Sequence, residues 1–194
     1  MDAVTQISQL VVRERRGRSL GLWDQLRDCY HPDSRVTTSW FDGTGAEFVA
    51  VSEAEQSPDL RAVNRLGPPA VQQNGNRAVV ELPSTTTTWF MIGEVEALLT
   101  SYMRLIYRVE RRDDTWRICT LDAINQADTL EPAVPGTFLD IDRELLGTFR
   151  WSYRYLSYQA SLQGRSIPDD LYGDDRPDAA NDFLAETYAW LEER

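Results

Sequence analysis

The residue best suited to chemistry in this sequence is Asp122, which stands in the apolar run ICTLDAI. A carboxyl group among apolar neighbours is hard to ionise, so its pKa rises towards neutrality and it can act as a general acid or base. A structural ion pair with Arg104 or Arg108 is an equally good interpretation, because ion pairs also perturb pKa values. The residue types leave both interpretations open.

Three polar residues are predicted to orient a substrate beside that carboxyl group. Asn64 shares one face of a short predicted strand with apolar residues, and a buried amide there needs hydrogen-bond partners. It could hold a substrate carbonyl or a water, or equally satisfy backbone groups at the strand end. With Tyr107 and Asn125 on later strands, Asn64 completes the predicted catalytic set around Asp122.

Large apolar side chains could line the cavity in which such a substrate sits. The predicted substrate-binding residues are Trp23, Trp40, Met91 and Met103. Residues of this kind also fit simple core packing. A lining of this composition would select an apolar molecule, so the predicted partner is a small hydrophobic metabolite.

Composition excludes several classes of function. The chain has 194 residues, 42% of them hydrophobic, which is enough for one domain with a sizeable core. Its formal net charge is −11, and all twenty basic residues are arginines. Such a surface repels phosphate backbones, so no nucleic-acid partner is expected.

No cofactor or metal is expected either. Cys29 and Cys119 form no CxxC pair, and the sequence has no metal-ligand cluster, phosphate-binding Gly-rich loop or nucleophile elbow. The N-terminus lacks the apolar run of a signal peptide, and no stretch approaches the roughly 18 apolar residues of a membrane span. A cytoplasmic protein without membrane contact is the expectation.

The elements that must position these residues begin with helical patterns. Apolar residues at helical spacing predict a first helix that ends at Gly17 and a second that ends at Pro32. Residues 35–41 are rich in β-branched and aromatic side chains and predict a strand. Residues 44–56 suit a third helix that ends near Pro58.

From residue 61 the pattern changes to strands joined by short turns. Asn74-Gly75 is a strong hairpin signal, and Asp113-Asp114 marks another tight turn. The predicted strands are 61–66, 70–73, 77–91, 98–111 and 116–125. Consecutive strands joined by tight turns must pair antiparallel.

The remainder, after Pro132, is helical by its apolar spacing. One helix is predicted from Ile141 to near Gly164 and a last helix from near Pro177. Segregated helices and an antiparallel sheet define an α+β fold. We expect a cone-shaped curved antiparallel sheet wrapped around the N-terminal helices in residues 1–130, with residues 131–194 as a helical extension packed on the same domain.

Three stretches, taken in order, resemble the nuclear transport factor 2-like superfamily. LWDQLRDCYHPDSRVTTSWFDGTGAEFV resembles its N-terminal signature, NGNRAVVE its first hairpin, and SYMRLIYRVERRDDTWRI its final hairpin. The resemblance covers about residues 1–130 and is nearest to the SnoaL-like branch, which includes polyketide cyclases and scytalone-dehydratase-like lyases. It implies a pocket at the open end of the cone and a homodimer through the outer sheet face.

The catalytic residues of known members are only partly matched. Dehydratase-like members use a Tyr-Asp pair on the early helices and two pocket histidines; this chain has Arg18 and Ser19 at the pair and Asn64 on the short strand. Its single histidine, His31, precedes Pro32 at a predicted helix end, which favours a surface or capping role. The resemblance therefore implies the fold without the familiar histidine chemistry.

Epoxide hydrolases of the superfamily supply another pattern, Asp-Arg-Asp with Tyr and Asn. Arg104, Asp122, Tyr107 and Asn125 are of similar types, but the pattern has an Asp two residues after the Arg, and Ile106 stands there in this chain. Strand alternation also puts Arg104 and Tyr107 on opposite faces, with Arg104 outside.

These residues favour a cofactor-free acid/base enzyme that dehydrates, isomerises or cyclises a small hydrophobic metabolite. The alternatives are a non-catalytic ligand-binding or partner-subunit protein, and an epoxide hydrolase. A cavity with no titratable group reaching its wall would favour the non-catalytic binding protein.

Overall fold

The computed structural model of the protein describes residues 2–56 and 61–193. The helices are α1 Ala3–Leu20, α2 Trp23–Arg27, α3 Gly45–Ala54, α4 Arg143–Gly147, α5 Arg154–Leu162 and α6 Pro177–Glu192, with a 3-10 turn at Trp151–Tyr153. The strands are β1 Tyr30–Thr37, β2 Asp42–Thr44, β3 Ala62–Leu66, β4 Ala70–Asn74, β5 Arg77–Ile92, β6 Val95–Arg112 and β7 Thr115–Pro132. The α+β class predicted from the sequence is confirmed, and Pro58 lies outside the described residues.

The first helix is longer than predicted. Asp2 caps α1 by accepting the Thr5 N–H at 3.0 Å, and the helix passes through Gly17 to end at Leu20. A Cβ on Gly17 would lie 3.2 Å from the Leu26 Cβ, so this glycine allows α2 to pack closely instead of ending the helix. Gly21, with φ of 65°, provides the left-handed C-cap.

The second helix is shorter than predicted and the first strand starts earlier. β1 begins at Tyr30, which pairs in parallel with Ile118 of β7. Tyr30 therefore lies in a strand paired with β7, although the apolar spacing places it in a predicted helix. Pro32 is accommodated where the register between the two strands is irregular. His31 is buried, with Nε2 3.1 Å from the Glu110 carbonyl oxygen, which corrects the surface position expected for it.

Long antiparallel strands form most of the sheet. Its order is β2-β1-β7-β6-β5-β3, with β4 also paired to β5. Both predicted turns are confirmed: Asn74 pairs with Arg77, and Asp113 and Asp114 take φ of 48° and 59° in the β6–β7 hairpin. β7 continues to Pro132, well beyond its predicted end. The β1–β7 pair is parallel, which the meander alone does not predict.

The two faces of the sheet have different coverings. The concave face packs on α1, α2 and α3 around a core that includes Val80, Leu82, Leu105, Tyr107, Val109, Ile118 and Leu121. On the outer face, Ile106 and Ile124 pack against Ala180 and Phe183 of α6. The C-terminal helix therefore occupies part of the face to which the predicted homodimer was assigned.

The C-terminal segment does not form the single long helix that residues 141–164 predict. It breaks into α4, the 3-10 turn and α5, with Arg150 in an extended conformation before the turn. The break leaves the Arg150 side chain free to bind residues much further along the chain.

Candidate functional site

Asp122 lies at a cavity of about 180 Å³ beside the edge of the sheet. β1 ends at Thr37, opposite Asp122, and the gap beyond it is closed by a segment that pairs with Asn125 through Gly173. The cavity lining consists of Thr37, Thr38, Ser39, Asp122, Ala123, Asn125, Asp170, Leu171 and Tyr172. The structure thus brings Asp122 and Asn125 of the predicted set into one cavity.

The surroundings of Asp122 raise the pKa of its carboxyl group. Burial raises its pKa to about 6, while the Arg108 charge and hydrogen bonds with Thr120 and Thr37 act in the opposite direction. The structural ion pair considered for Asp122 is not formed among the described residues: Arg104 pairs with Glu81 and Asp174, and Arg108 acts on Asp122 only through its charge, without cancelling the effect of burial.

Two other side chains of the cavity lining, Thr38 and Tyr172, have environments that bear on ligand binding. The Thr38 hydroxyl oxygen is buried and has no hydrogen-bond partner among the described residues. A buried polar atom of this kind needs an explanation, and a ligand in the cavity would supply its partner. Tyr172 is near enough for the Asp122 charge to contribute, after burial, to a raised pKa of its phenol.

Residues 170–172 form the cavity wall opposite β7, and Arg150 fixes their position. Its guanidinium forms an ion pair with Asp175, with donor–acceptor distances of 2.6 and 2.9 Å, and it also donates to the carbonyl oxygens of Asp169 and Leu171 at 2.6 and 2.7 Å. Asn125 helps from the sheet by donating its side-chain N–H to the Tyr172 carbonyl at 3.1 Å. Asn125 thus fixes the wall.

Tyr107 lies on the other face of the sheet, inside the cone. Its hydroxyl donates to Glu14 Oε2 at 3.1 Å, the Tyr30 hydroxyl donates to Oε1 at 2.8 Å, and Arg15 forms an ion pair with the same carboxylate. Glu14 is fully buried and well supplied with donors. Tyr107 is therefore separated from Asp122 by strand alternation, because Asp122 pairs with Ile106.

Asn64 also lies away from the Asp122 cavity. Its amide donates to Ser19 Oγ at 3.1 Å and accepts from the Thr86 hydroxyl at 2.7 Å. Ser19, at one position of the catalytic pair of dehydratase-like proteins, and Asn64, at the histidine position, thus meet in a neutral hydrogen-bonded chain that ends at Thr86. Asn64 was predicted either to satisfy backbone groups at the strand end or to orient a substrate beside Asp122. Its observed partners, the side chains of Ser19 and Thr86, indicate neither role.

The predicted substrate-binding residues are dispersed. Trp23 and Met103 are partly buried against the concave core, whereas Met91 is 56% exposed near the β5–β6 hairpin. Trp40 follows the cavity segment Thr38–Ser39 and packs on Phe41 and Phe48 at centroid distances of 5.7 and 5.5 Å. None of the four lines the Asp122 cavity.

The epoxide hydrolase pattern is not assembled. Arg104 lies outside, as predicted, where it forms ion pairs with Glu81 at 3.2 Å and Asp174 at 3.8 Å. Tyr107 faces inward, so it cannot share a water with Asp122.

Several residues in these sites were not predicted. Glu14 could have been found, because it continues the apolar stripe of Ile7, Leu10 and Val11 and is therefore a carboxylate on a buried helix face. Tyr172 and Arg150 carry no local signal, since the role of Tyr172 depends on a contact with β7 and that of Arg150 on contacts with Asp169, Leu171 and Asp175. Within the described ranges, no cluster of three His, Cys, Asp or Glu side chains suits a metal ion, and no helix is long and apolar enough to cross a membrane.

Comparisons with known proteins agree with this architecture. The chain is 25% identical over 155 residues to pea pathogenicity protein 2 of Fusarium vanettenii, covering 78% of this chain and 66% of that protein, just under two thirds of its length. It superposes on a hexachlorocyclohexane dehydrochlorinase, LinA type 2, with a TM-score of 0.56 at 12% identity, over 72% of this chain and 95% of the other.

A candidate scytalone dehydratase from Novosphingobium aromaticivorans superposes with a TM-score of 0.52 at 12% identity, over 72% of this chain and 93% of that one. At such identities these likenesses show the fold alone. The model of the SnoaL-like domain matches residues 1–122, which is more than half of the chain. The chain therefore belongs to the SnoaL-like family, with the nuclear transport factor 2-like cone fold.

Proposed function

We propose that the protein binds a small, largely apolar molecule and moves a proton on it without a cofactor, with Asp122 as the acid/base group. Dehydration, isomerisation and cyclisation are the reaction classes that such a group serves. The observation that carries the proposal is a cavity with Asp122 in its wall, whose burial raises the pKa of this carboxyl group to about 6.

The other cavity groups support a ligand at this position. The unpartnered Thr38 hydroxyl and the neighbouring Thr37 and Ser39 supply hydrogen-bonding groups, while Ala123 and Leu171 supply apolar surface. A few polar groups on an apolar wall are what orients a small ligand. Asn64 and Tyr107, which lie outside this cavity, have no part in the proposed reaction.

The names of the structural neighbours suggest which reaction to test first. A dehydrochlorinase and a candidate dehydratase both bear names of elimination reactions. Removal of a proton by a carboxylate is the step that elimination and isomerisation share, so it is the step that the experiment should isolate.

The test uses 5-nitrobenzisoxazole, an aromatic probe whose ring opens when a base removes one proton. We expect the wild-type protein to open it faster than acetate at equal concentration, with a rate that rises through about pH 6. Asp122→Asn should lower the rate about 100-fold, the size of a positioned general base.

Asp128→Asn is the matched control. Asp128 lies on the same strand and burial likewise raises its pKa to about 6, but its carboxylate accepts the Leu156 N–H at 2.8 Å and lies outside the cavity. The control should keep the wild-type rate. Equal rates for wild type and Asp122→Asn would show that Asp122 is not the base, and a non-catalytic ligand-binding protein would become the better proposal.

A further inference from the structure

Arg18, in the last turn of α1, has an unusual environment for a cation. Its guanidinium carbon lies 4.9 Å from the centre of the Trp40 ring and 5.7 Å from that of Phe48. Stacking on aromatic rings accounts for the position of the side chain. It does not supply the hydrogen-bond acceptors that a guanidinium requires.

No anion neutralises this guanidinium in the described part of the chain. Its Nε is buried without a hydrogen-bond partner, and none of the ion pairs in residues 2–56 and 61–193 includes it. Glu14 and, more weakly, Glu55 act on Arg18 only through their charges. The Glu14 carboxylate is already bound by Arg15, Tyr30 and Tyr107. Burial, followed by repulsion from Arg15, lowers the pKa of Arg18 to about 10.

The buried Nε of this half-buried arginine is costly to leave without an acceptor, because a buried polar group without a partner loses its hydration. The space beside it is open: Trp40 is 37% exposed and Ser19 is exposed. On a chain with a net charge of −11, this site stands out as one that attracts an anion.

We propose that Arg18 is the anion-binding subsite for a ligand with a planar carboxylate on an aromatic or otherwise apolar body. The guanidinium fork matches a carboxylate in bidentate geometry, and a single fork suits a singly charged group. The apolar body of the ligand rests on Trp40. This site does not depend on Asp122 chemistry, although Trp40 directly follows Ser39 of the Asp122 cavity.

The test compares two probes of nearly the same shape, the anion 2-naphthoate and the neutral 2-naphthamide, by isothermal titration calorimetry. The wild-type protein should bind the carboxylate at least about tenfold more tightly than the amide, as expected for a hydrogen bond to a charged group. In Arg18→Met this preference should disappear. Arg16→Met, which removes an exposed arginine of the same helix, should retain it.

Thermal unfolding of Arg18→Met separates this role from a structural one. If Arg18 serves a ligand, replacing it by an apolar side chain removes an uncompensated charge, and the melting temperature should stay equal or rise. A lower melting temperature would show that the ring contacts stabilise the fold and would overturn the proposal. It is equally overturned if wild type does not prefer naphthoate to naphthamide, whether both bind equally or neither binds.

Discussion

Asp122 and Asp128 are two carboxyl groups on β7 whose pKa values burial raises to about 6, yet their neighbours give them different uses. Asp128 accepts the Leu156 N–H at the start of α5, so it holds an element in place. Asp122 faces a cavity. A raised pKa alone therefore does not identify a functional carboxylate, and the atoms around it must decide.

The raised pKa of Asp122 predicts a pH dependence of stability. Between the ordinary value of 3.8 and about 6, the folded state keeps a proton that the unfolded chain has released. The contribution of Asp122 to stability is therefore present in full below about pH 4 and is lost as the pH rises through about 6.

An asparagine side chain cannot titrate, so the Asp122→Asn variant should gain stability relative to wild type between about pH 4 and pH 6 and show a constant difference above it. Urea denaturation at a series of pH values measures this difference. A difference that does not change with pH would show that Asp122 has an ordinary pKa in the folded protein.

At the scale of elements, the C-terminal segment completes a cavity that the family-matched region only begins. The SnoaL-like match ends at residue 122, whereas Asp170, Leu171 and Tyr172 form the opposite wall. Arg150 ties this wall to the 3-10 turn through a largely buried ion pair with Asp175. The shape of the cavity therefore depends on residues beyond the matched domain.

Removal of the Arg150–Asp175 ion pair should strongly destabilise the folded protein. Arg150→Met leaves the Asp175 carboxylate buried without its counterion, and we expect a loss of about 3–5 kcal/mol in the free energy of unfolding. The double variant Arg150→Met/Asp175→Asn should recover part of this loss. Urea denaturation of the single and double variants measures the coupling.

An exposed ion pair provides the comparison. Arg35 and Asp42 lie 2.8 Å apart with both side chains more than half exposed, so Arg35→Met should change stability by less than about 1 kcal/mol. Similar losses at Arg150 and Arg35 would contradict the role assigned to Arg150.

For the molecule as a whole, α6 covers part of the outer sheet face and so limits the surface left for a partner chain. Tyr188 donates to Glu81 at 2.7 Å and Arg77 donates to the Trp190 carbonyl at 2.7 Å, so the helix is fastened by polar contacts as well as by Phe183. A homodimer through this face remains a prediction. It would have to use the part that α6 leaves open, where Tyr102 is 40% exposed.

Sedimentation equilibrium tests this arrangement. A dimer would have about twice the chain mass of 22.2 kDa at micromolar concentration, and Tyr102→Glu should weaken it because a carboxylate would be buried in the contact. A single species of monomer mass over the whole concentration range would show that the dimer prediction is wrong.

Features that depend on neighbours along the chain could be predicted from the sequence. The hairpins at Asn74-Gly75 and Asp113-Asp114 follow from turn chemistry, and the strand periodicity that follows them predicts the meander. The sequence also predicted a raised pKa for Asp122, but its neighbours Leu121 and Ala123 belong to the concave core, so the burial that raises this pKa comes from segments distant in sequence. The ordered motifs also identified the family correctly.

Which side chains meet depends instead on how the completed elements pack together. Tyr107 and Asp122 are separated because the β6–β7 register places them on opposite faces of the sheet. A one-residue change of that register would have placed them on the same face. Asp122 meets Tyr172, and Asn125 meets Gly173, through contacts between segments that are far apart in the chain. Such contacts arise from packing of completed elements, so no local pattern contains them.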